Sequence, residues 1–431
     1  MPEVAEVAHV CAQLRRHLVG RTITDAILPR DNLLFPQLTK EEPIAKSTDA
    51  FRDLIVGRKV EKACRHGKYF WLRLSPLKKQ PVIIMMHLGM TGMIKLKEIK
   101  SHLILMENGG DVKVKKLMSD DRDKHVIVKR RKLRAFANSS DDTILVAQSL
   151  EGRTLTGVKV SQDTVLRPKD KTRRNVKVED ILLVDVKQEQ TPLDELADDA
   201  NEEDIDDVWP PKFTKFELVF SSHDKEKPIY AAFTDPRRLG RVRFYNDVDC
   251  MTEESLMKRF PLDKLGPDYS KAPDGSEASK FVFGDPDPSP HGRPRLDFEQ
   301  FSKLILSRKK VAKTLLLDQG IFAGIGNWVA DEVLFQARIH PNEILLKSID
   351  TEDHEVVKRL YDAIIYVMEF AVNVEGDAKK FPEDWLMLHR WGKRRKEADP
   401  QTKTGHSLEF VTLGGRTSCF VPKLQKLLND S

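Results

Sequence analysis

Three residues at the start of the chain, Pro2, Glu3 and Glu6, put a latent nucleophile beside two carboxylates. Once Met1 is removed, Pro2 carries a free secondary amine that can attack a sugar carbon and form an iminium, with Glu3 and Glu6 near enough to move protons. A plainer reading is available for the same residues. Many proteins begin Met-Pro, and acidic residues suit the first turn of a helix. The chemistry becomes credible only if other segments supply a polyanionic sugar substrate and a way to hold it.

Four further segments do so. His87-Leu88-Gly89-Met90-Thr91-Gly92 is a glycine-flanked turn that presents Met90, either as a packed core methionine or as an apolar wedge between base steps. Asp235-Pro236-Arg237-Arg238-Leu239-Gly240 is a turn between strands. Its arginines could be solvated surface, or Arg237 could read a base edge while Leu239 fills the hole left by an extruded nucleotide. The glycine-rich connection from Asp318 to Asn327 (DQGIFAGIGN) is expected to place Asn327 at a helix N-cap, with exposed N–H groups available to a phosphate. Gly414-Gly415-Arg416-Thr417-Ser418 sets an arginine just past a tight turn, where Arg416 can fork onto a phosphate.

These segments need elements to carry them. Val4, Val7, Cys11, Leu14 and Leu18 recur at helical spacing over 3–19, and Gly20 is placed to stop the helix. Short alternating or apolar runs at 22–28, 69–74, 82–86, 213–220 and 229–233 read as strands of one all-β unit. Residues 301–318 read as a helix, 328–338 as a second, and a third stops at Gly376 after Val357, Leu360, Ile364, Val367 and Ala371 have lined one face. Runs at 407–413 and 416–422 alternate about Gly414-Gly415 as a hairpin.

The 431 residues suffice for two or three cores, and no apolar run is long enough to cross a bilayer, so a soluble multi-domain chain without a cleavable leader is expected. A net charge of +5 is compatible with a polyanion without demanding one. Cys11, Cys64, Cys250 and Cys419 are too scattered for a zinc site, so neither metal nor disulfide is expected. Segment 99–208 breaks the strand pattern with a basic stretch at Lys129–Arg134 and an acidic tract at 194–207, the composition of a largely disordered insertion. Residues 261–297 read as a linker. The tetrad Lys393-Arg394-Arg395-Lys396 is compatible with a nuclear signal or a DNA-facing patch.

Taken in order, Pro2-Glu3, HLGMTG, DPRRLG, DQGIFAGIGN and GGRTS resemble the formamidopyrimidine-DNA glycosylase and endonuclease VIII family. The resemblance implies an α+β multi-domain fold: an N-terminal β-sandwich over 2–260, a helix-two-turn-helix module over 298–380 and a C-terminal finger hairpin over 381–431. With only Cys419 in the last region, that finger would be the zincless type. It implies Pro2 as Schiff-base nucleophile, Glu3 as the acid that protonates the sugar ring oxygen, Glu6 as a site carboxylate and Lys68 as a phosphate contact. Met90, Arg237 and Leu239 would fill the void, Asn327 and Arg416 would bind phosphate, and Lys313 would be a DNA-contacting lysine of the first module helix.

The same resemblance implies a cofactor-free glycosylase and AP lyase of base excision repair, acting on double-stranded DNA that carries oxidised purines; a monomer is expected, and the tetrad at 393–396 makes the nucleus its expected location. The alternatives are oxidised pyrimidines or further-oxidised guanine products, and a DNA-binding protein without catalysis. Leu239 stands where many relatives have phenylalanine, which leaves base discrimination open.

Overall fold

A computed structural model of the chain describes residues 2–39, 47–77, 80–104, 134–136, 145–148, 154–158, 208–221, 227–247, 250, 252–272, 292–349, 354–392 and 399–428. The acidic tract, most of the basic stretch before Arg134, the tetrad at 393–396 and much of the expected linker lie outside these. The chain divides into two compact units, one formed by Met1–Met118 with Asp206–Ser431 and the other by Ser119–Ile205. In the second, β6 (Arg134–Phe136), β7 (Leu145–Gln148) and β8 (Thr154–Val158) form an antiparallel sheet in that order, where the sequence suggested little regular structure.

The first unit opens with α1 (Val4–Leu18), followed by β1 (Ile23–Ile27), α2 (Thr48–Ile55), β2 (Val60–His66), β3 (Tyr69–Leu77), β4 (Gln80–His87) and β5 (Met93–Leu96). After the second unit come β9 (Thr214–Phe220), β10 (Ile229–Thr234) and β11 (Arg241–Tyr245). Two antiparallel four-stranded sheets result, ordered β1-β9-β10-β5 and β11-β4-β3-β2. Alternating apolar side chains from both, among them Leu72, Ile84, Phe216, Phe233 and Phe244, meet in one core. β5 pairs with β10, so the sheet closes across the long sequence interval between them.

Helix α1 is apolar on more than one face, and both faces are used. Val7, Val10, Cys11, Leu14 and Leu18 pack into the sandwich core, whereas Val4, Ala5 and Ala8 belong to the helical core. The N-terminal residues are thereby held at the junction of the two layers. Gly20, at φ 91°, turns the chain away after the helix ends.

The helical layer contains α3 (Phe298–Leu306), α4 (Ala312–Leu316), α5 (Asn327–Ala337) and α6 (Glu355–Asn373). The single helix expected over 301–318 is thus two. The amides of Ala312 and Lys313, which would continue the ladder, donate instead to Glu343 O at 2.7 Å and Pro341 O at 3.1 Å. Tertiary bonds replace helical ones, a competition that periodicity cannot register. β12 (Glu409–Leu413) and β13 (Arg416–Phe420) form the expected hairpin, with Gly414 and Gly415 at φ 54° and 73°, the left-handed pair that a two-residue turn of this hand requires.

Candidate active site

Glu3 is buried at the amino end of α5. Its Oε1 accepts the Trp328 amide at 3.0 Å and its Oε2 the Val329 amide at 3.1 Å, so the carboxylate occupies the positive end of the helix dipole. This corrects two expectations. The N-cap of α5 is Gly326, with Asn327 already the first helical residue, and the amides proposed for a phosphate are taken by Glu3. Gly326 permits the approach, because a Cβ there would lie 2.1 Å from Glu3 Cδ.

Glu6 lies one turn along α1. Its Oε2 accepts the Glu3 amide at 2.8 Å, the returning half of a capping box, and its Oε1 accepts Trp328 Nε1–H at 3.2 Å. Burial, and then the adjacent Glu3, push its pKa up to about 7. Such a carboxyl can both take and return a proton near neutrality. Pro2, the residue before Glu3, is buried in the same place.

Lys68 enters from the β2–β3 turn. Its Nζ donates to Ile325 O at 3.0 Å and faces Glu3, Glu6 and Arg416, and burial draws its pKa down against the pull of the two carboxylates. The preceding Gly67, at φ 56°, rests on Ala323 and Gly324, where a Cβ would come within 2.8 Å of Gly324 N. At Gly67 a sandwich turn and the glycine-rich connection therefore come so close that a Cβ would not fit between them. His87 is held neutral, with a pKa lowered to about 4 by burial and then by Lys68.

The turns that carry Met90 and Leu239 come together at Gly89, 150 positions before Leu239. A Cβ on Gly89, at φ 65°, would lie 2.5 Å from the Leu239 carbonyl carbon. Met90 is half-buried on its turn, while Arg237 and Leu239 are exposed. Buried Asp235 builds the platform: its Oδ1 accepts Thr91 Oγ1–H at 2.8 Å and the Arg237 amide at 3.2 Å, and its Oδ2 accepts the Gly240 amide at 2.7 Å. Asp235 heads the DPRRLG segment and received no role from sequence, although an aspartate opening a turn commonly binds its own following amides.

Asn327 Nδ2 donates to Thr417 O at 3.0 Å, which joins the α5 terminus to the hairpin beside exposed Arg416. Lys313 is a correction. It is 0% exposed, and its Nζ donates to Asn327 O at 2.7 Å and Asp331 Oδ1 at 2.5 Å, so it is a buried brace with no path to an outside ligand in this structure. Asp331 also accepts Ser418 Oγ–H at 2.5 Å, the Cys419 amide at 3.1 Å and the Arg390 guanidinium at 2.7 Å. Burial alone would raise its pKa, but Lys313 and Arg390 hold it below the usual carboxylate range. Asp331 gives no signal in the sequence, because a carboxylate within a helix normally faces water.

A second polar cluster lies further along α1. Among the described residues, His9, His102 and Glu375 bring potential ligand atoms within 4.8 Å of one another. The Glu375 carboxylate is already bound by Arg16 and by His9 Nδ1 at 2.9 Å, which makes the group an ion-pair link between α1 and the end of α6. The four cysteines are buried free thiols.

The formamidopyrimidine-DNA glycosylase N-terminal domain model matches residues 1–136 and the formamidopyrimidine-DNA glycosylase H2TH domain model residues 285–383, together just over half of the chain. The chain belongs to the formamidopyrimidine-DNA glycosylase family. A glycosylase of that name from Arabidopsis thaliana is 32% identical over 219 residues, 51% of this chain and 45% of the relative. One from Heliobacterium modesticaldum is 29% identical over 196 residues, 43% and 59% respectively. The matched part thus spans about half the length of these curated glycosylases.

Among solved structures, the Lactococcus lactis formamidopyrimidine-DNA glycosylase bound non-covalently to DNA with an abasic site aligns at TM-score 0.52 and 16% identity, over 98% of this chain and 99% of that one. MutM in complex with DNA containing carbocyclic 8-oxoguanine aligns at TM-score 0.53 and 15% identity, over 99% and 100%. At such identities the likeness is one of glycosylase fold.

Proposed function

We propose that the protein is a bifunctional DNA glycosylase and AP lyase of base excision repair that removes oxidised purines, 8-oxoguanine and formamidopyrimidines, from double-stranded DNA. The observation that supports this reading is the pinning of Glu3 on the α5 amides, which brings two carboxyls and a lysine together in the segment that begins with Pro2. With Met1 removed, the Pro2 nitrogen bonds to C1′ as the C1′–base bond breaks, and the proton that Pro2 sheds leaves with the base by way of Glu6. Glu3, which takes up a proton from solvent for this step, passes it to O4′ as the sugar opens to an iminium, and the proton lost next from C2′ balances it. Loss of the C2′ proton then expels the 3′ phosphate, and a second elimination expels the 5′ phosphate. Glu6 is suited to take the proton that Pro2 must shed, and Lys68 to sit against a backbone phosphate.

The DNA would lie with Met90, Arg237 and Leu239 entering the helix from the sandwich side while Asn327 and Arg416 hold phosphates from the other. The names of the relatives and the DNA carried by the aligned structures favour this substrate over oxidised pyrimidines or further-oxidised guanine. The domain map is a catalytic sandwich over 2–260, a linker over 261–297, the helix-two-turn-helix module over 298–380 and a zincless finger from 381, in a monomer working in the nucleus without metal or organic cofactor. Among the described residues no helix is long and apolar enough to cross a membrane.

Borohydride trapping tests the reading. Reduction during reaction with 8-oxoguanine or abasic-site DNA is expected to yield a covalent protein–DNA adduct, with the link at Pro2 and Met1 missing from the intact mass. Absence of adduct under conditions that trap a family member would reject the lyase.

A further inference from the structure

Among the described residues, Trp328 alone holds both site carboxylates, and it does so with two different donors. Its backbone amide serves Glu3 at 3.0 Å and its indole Nε1–H serves Glu6 at 3.2 Å. The ring is 4% exposed and lies against Phe381, with centroids 5.6 Å apart, so the indole cannot swing away without opening the helical core. Other apolar residues would fill the same space, but among them only tryptophan brings an N–H to the edge of the ring.

We infer that Trp328 is a positioning residue for catalysis: its indole N–H orients the Glu6 carboxyl toward the Pro2 nitrogen and favours the ionised form that accepts the amine's proton. The inference rests on the Schiff-base reading above.

Four elements supply the groups that act on Glu6, directly or through Lys68. Glu3 and its amide come from the same segment, the Trp328 indole from α5 and the Lys68 ammonium from the β2–β3 turn, while Arg416 of the hairpin acts on Lys68. Burial and Glu3 favour the protonated form, whereas the Glu3 amide opposes them by bonding to the carboxylate. The indole adds a second donor on the other oxygen. Without it, Glu6 stays protonated to higher pH and loses one of the two bonds that fix its rotamer.

The variant Trp328→Phe keeps an aromatic ring and the backbone amide and removes the indole N–H together with part of the buried ring, so a packing control accompanies it. In single-turnover borohydride trapping on abasic-site DNA, W328F is expected to be slowed roughly three- to tenfold at about pH 6, to recover toward wild type by about pH 8.5, and to leave DNA affinity unchanged. In an E6Q background the same substitution should have no further effect. Phe381→Leu, which loosens the packing but keeps the N–H, should leave the pH profile in place.

A W328F profile superimposable on wild type, an equal loss in the E6Q background, or the same profile shift from F381L would each overturn the inference. Wild-type trapping is measured first, so failure of the lyase reading is recognised separately. If W328F does not fold, the wild-type protein still decides. One of its five tryptophan indole N–H resonances should move with a single near-neutral titration that disappears in E6Q, and no such titrating resonance would reject the contact.

Discussion

Gly326 and Glu3 are in backbone-limited contact, with the space that a Cβ on Gly326 would need lying 2.1 Å from Glu3 Cδ. Gly326→Ala should therefore push the carboxylate off the Trp328 and Val329 amides. Displacement of a reacting group by about an ångström can cost about a hundredfold in rate. Single-turnover excision should fall by about that factor while the far-ultraviolet spectrum is retained. Wild-type rates in G326A would show that Glu3 placement is not limiting.

Lys68 on the sandwich and Arg416 on the hairpin are near enough for the positive charge of Arg416 to lower the pKa of Lys68. Replacing either by alanine should weaken binding to damaged and undamaged DNA alike, with the slope of log affinity against log salt shallower by roughly one per lost phosphate contact. Titrations at several salt concentrations measure this. An unchanged slope would assign the side chain to structure.

Asp331 is the anion shared by Lys313, Arg390, Ser418 and the Cys419 amide, and it is fully buried. Asp331→Ala strands two buried cations and should destabilise the helical layer by about 3–5 kcal/mol, read as a lower denaturation midpoint. Lys313→Met added to D331A should recover part of that loss, since one of the stranded charges goes with it. No recovery would mean that the two residues are not coupled.

Glu6 should leave a signature in stability against pH. Its folded pKa is raised from 4.5 to about 7, so the folded state binds the proton more tightly than the unfolded chain does. Its contribution is complete below about pH 4.5 and is lost as pH rises through about 7. The melting temperature of the wild type minus that of Glu6→Gln should fall across this window and level off above it. A flat difference would contradict the burial of the carboxyl.

Deleting Ser119–Ile205, one of the two compact units, and joining its flanks should leave the other folded, with a cooperative melt. Deleting the whole of 99–208 should do worse. It removes Ser101, whose Oγ meets His9 Nε2 at 2.9 Å, and His102, whose Nε2 meets Glu375 O at 3.1 Å, both part of the link from α1 to α6. Equal melts for the two deletions would discount that link.

Much of this was legible from local pattern. The 3.6-residue spacing of Val4, Val7, Cys11, Leu14 and Leu18 announced α1, and the observed helix is Val4–Leu18. The paired glycines at 414 and 415 announced the hairpin, because their chemistry and their geometry are both local. The segments HLGMTG and DPRRLG were visible as turns, but that Gly89 presses on the Leu239 backbone and that Asp235 ties both together was not.

The sequence by itself determined which residue types are available, a proline followed by two carboxylates, a lysine after Gly67, glycines before Asn327, and those helices, strands and turns whose pattern is local, such as α1 and the Gly414-Gly415 hairpin. Only the tertiary structure decided their assignments. Glu3 caps a helix 325 residues away, Lys313 is a buried brace for Asn327 and Asp331, and the indole of Trp328 reaches Glu6. Periodicity reports which face of an element avoids water. It carries no record of which remote amide will meet a carboxylate there, since that depends on how two cores share α1 and on a glycine that leaves room for Glu3.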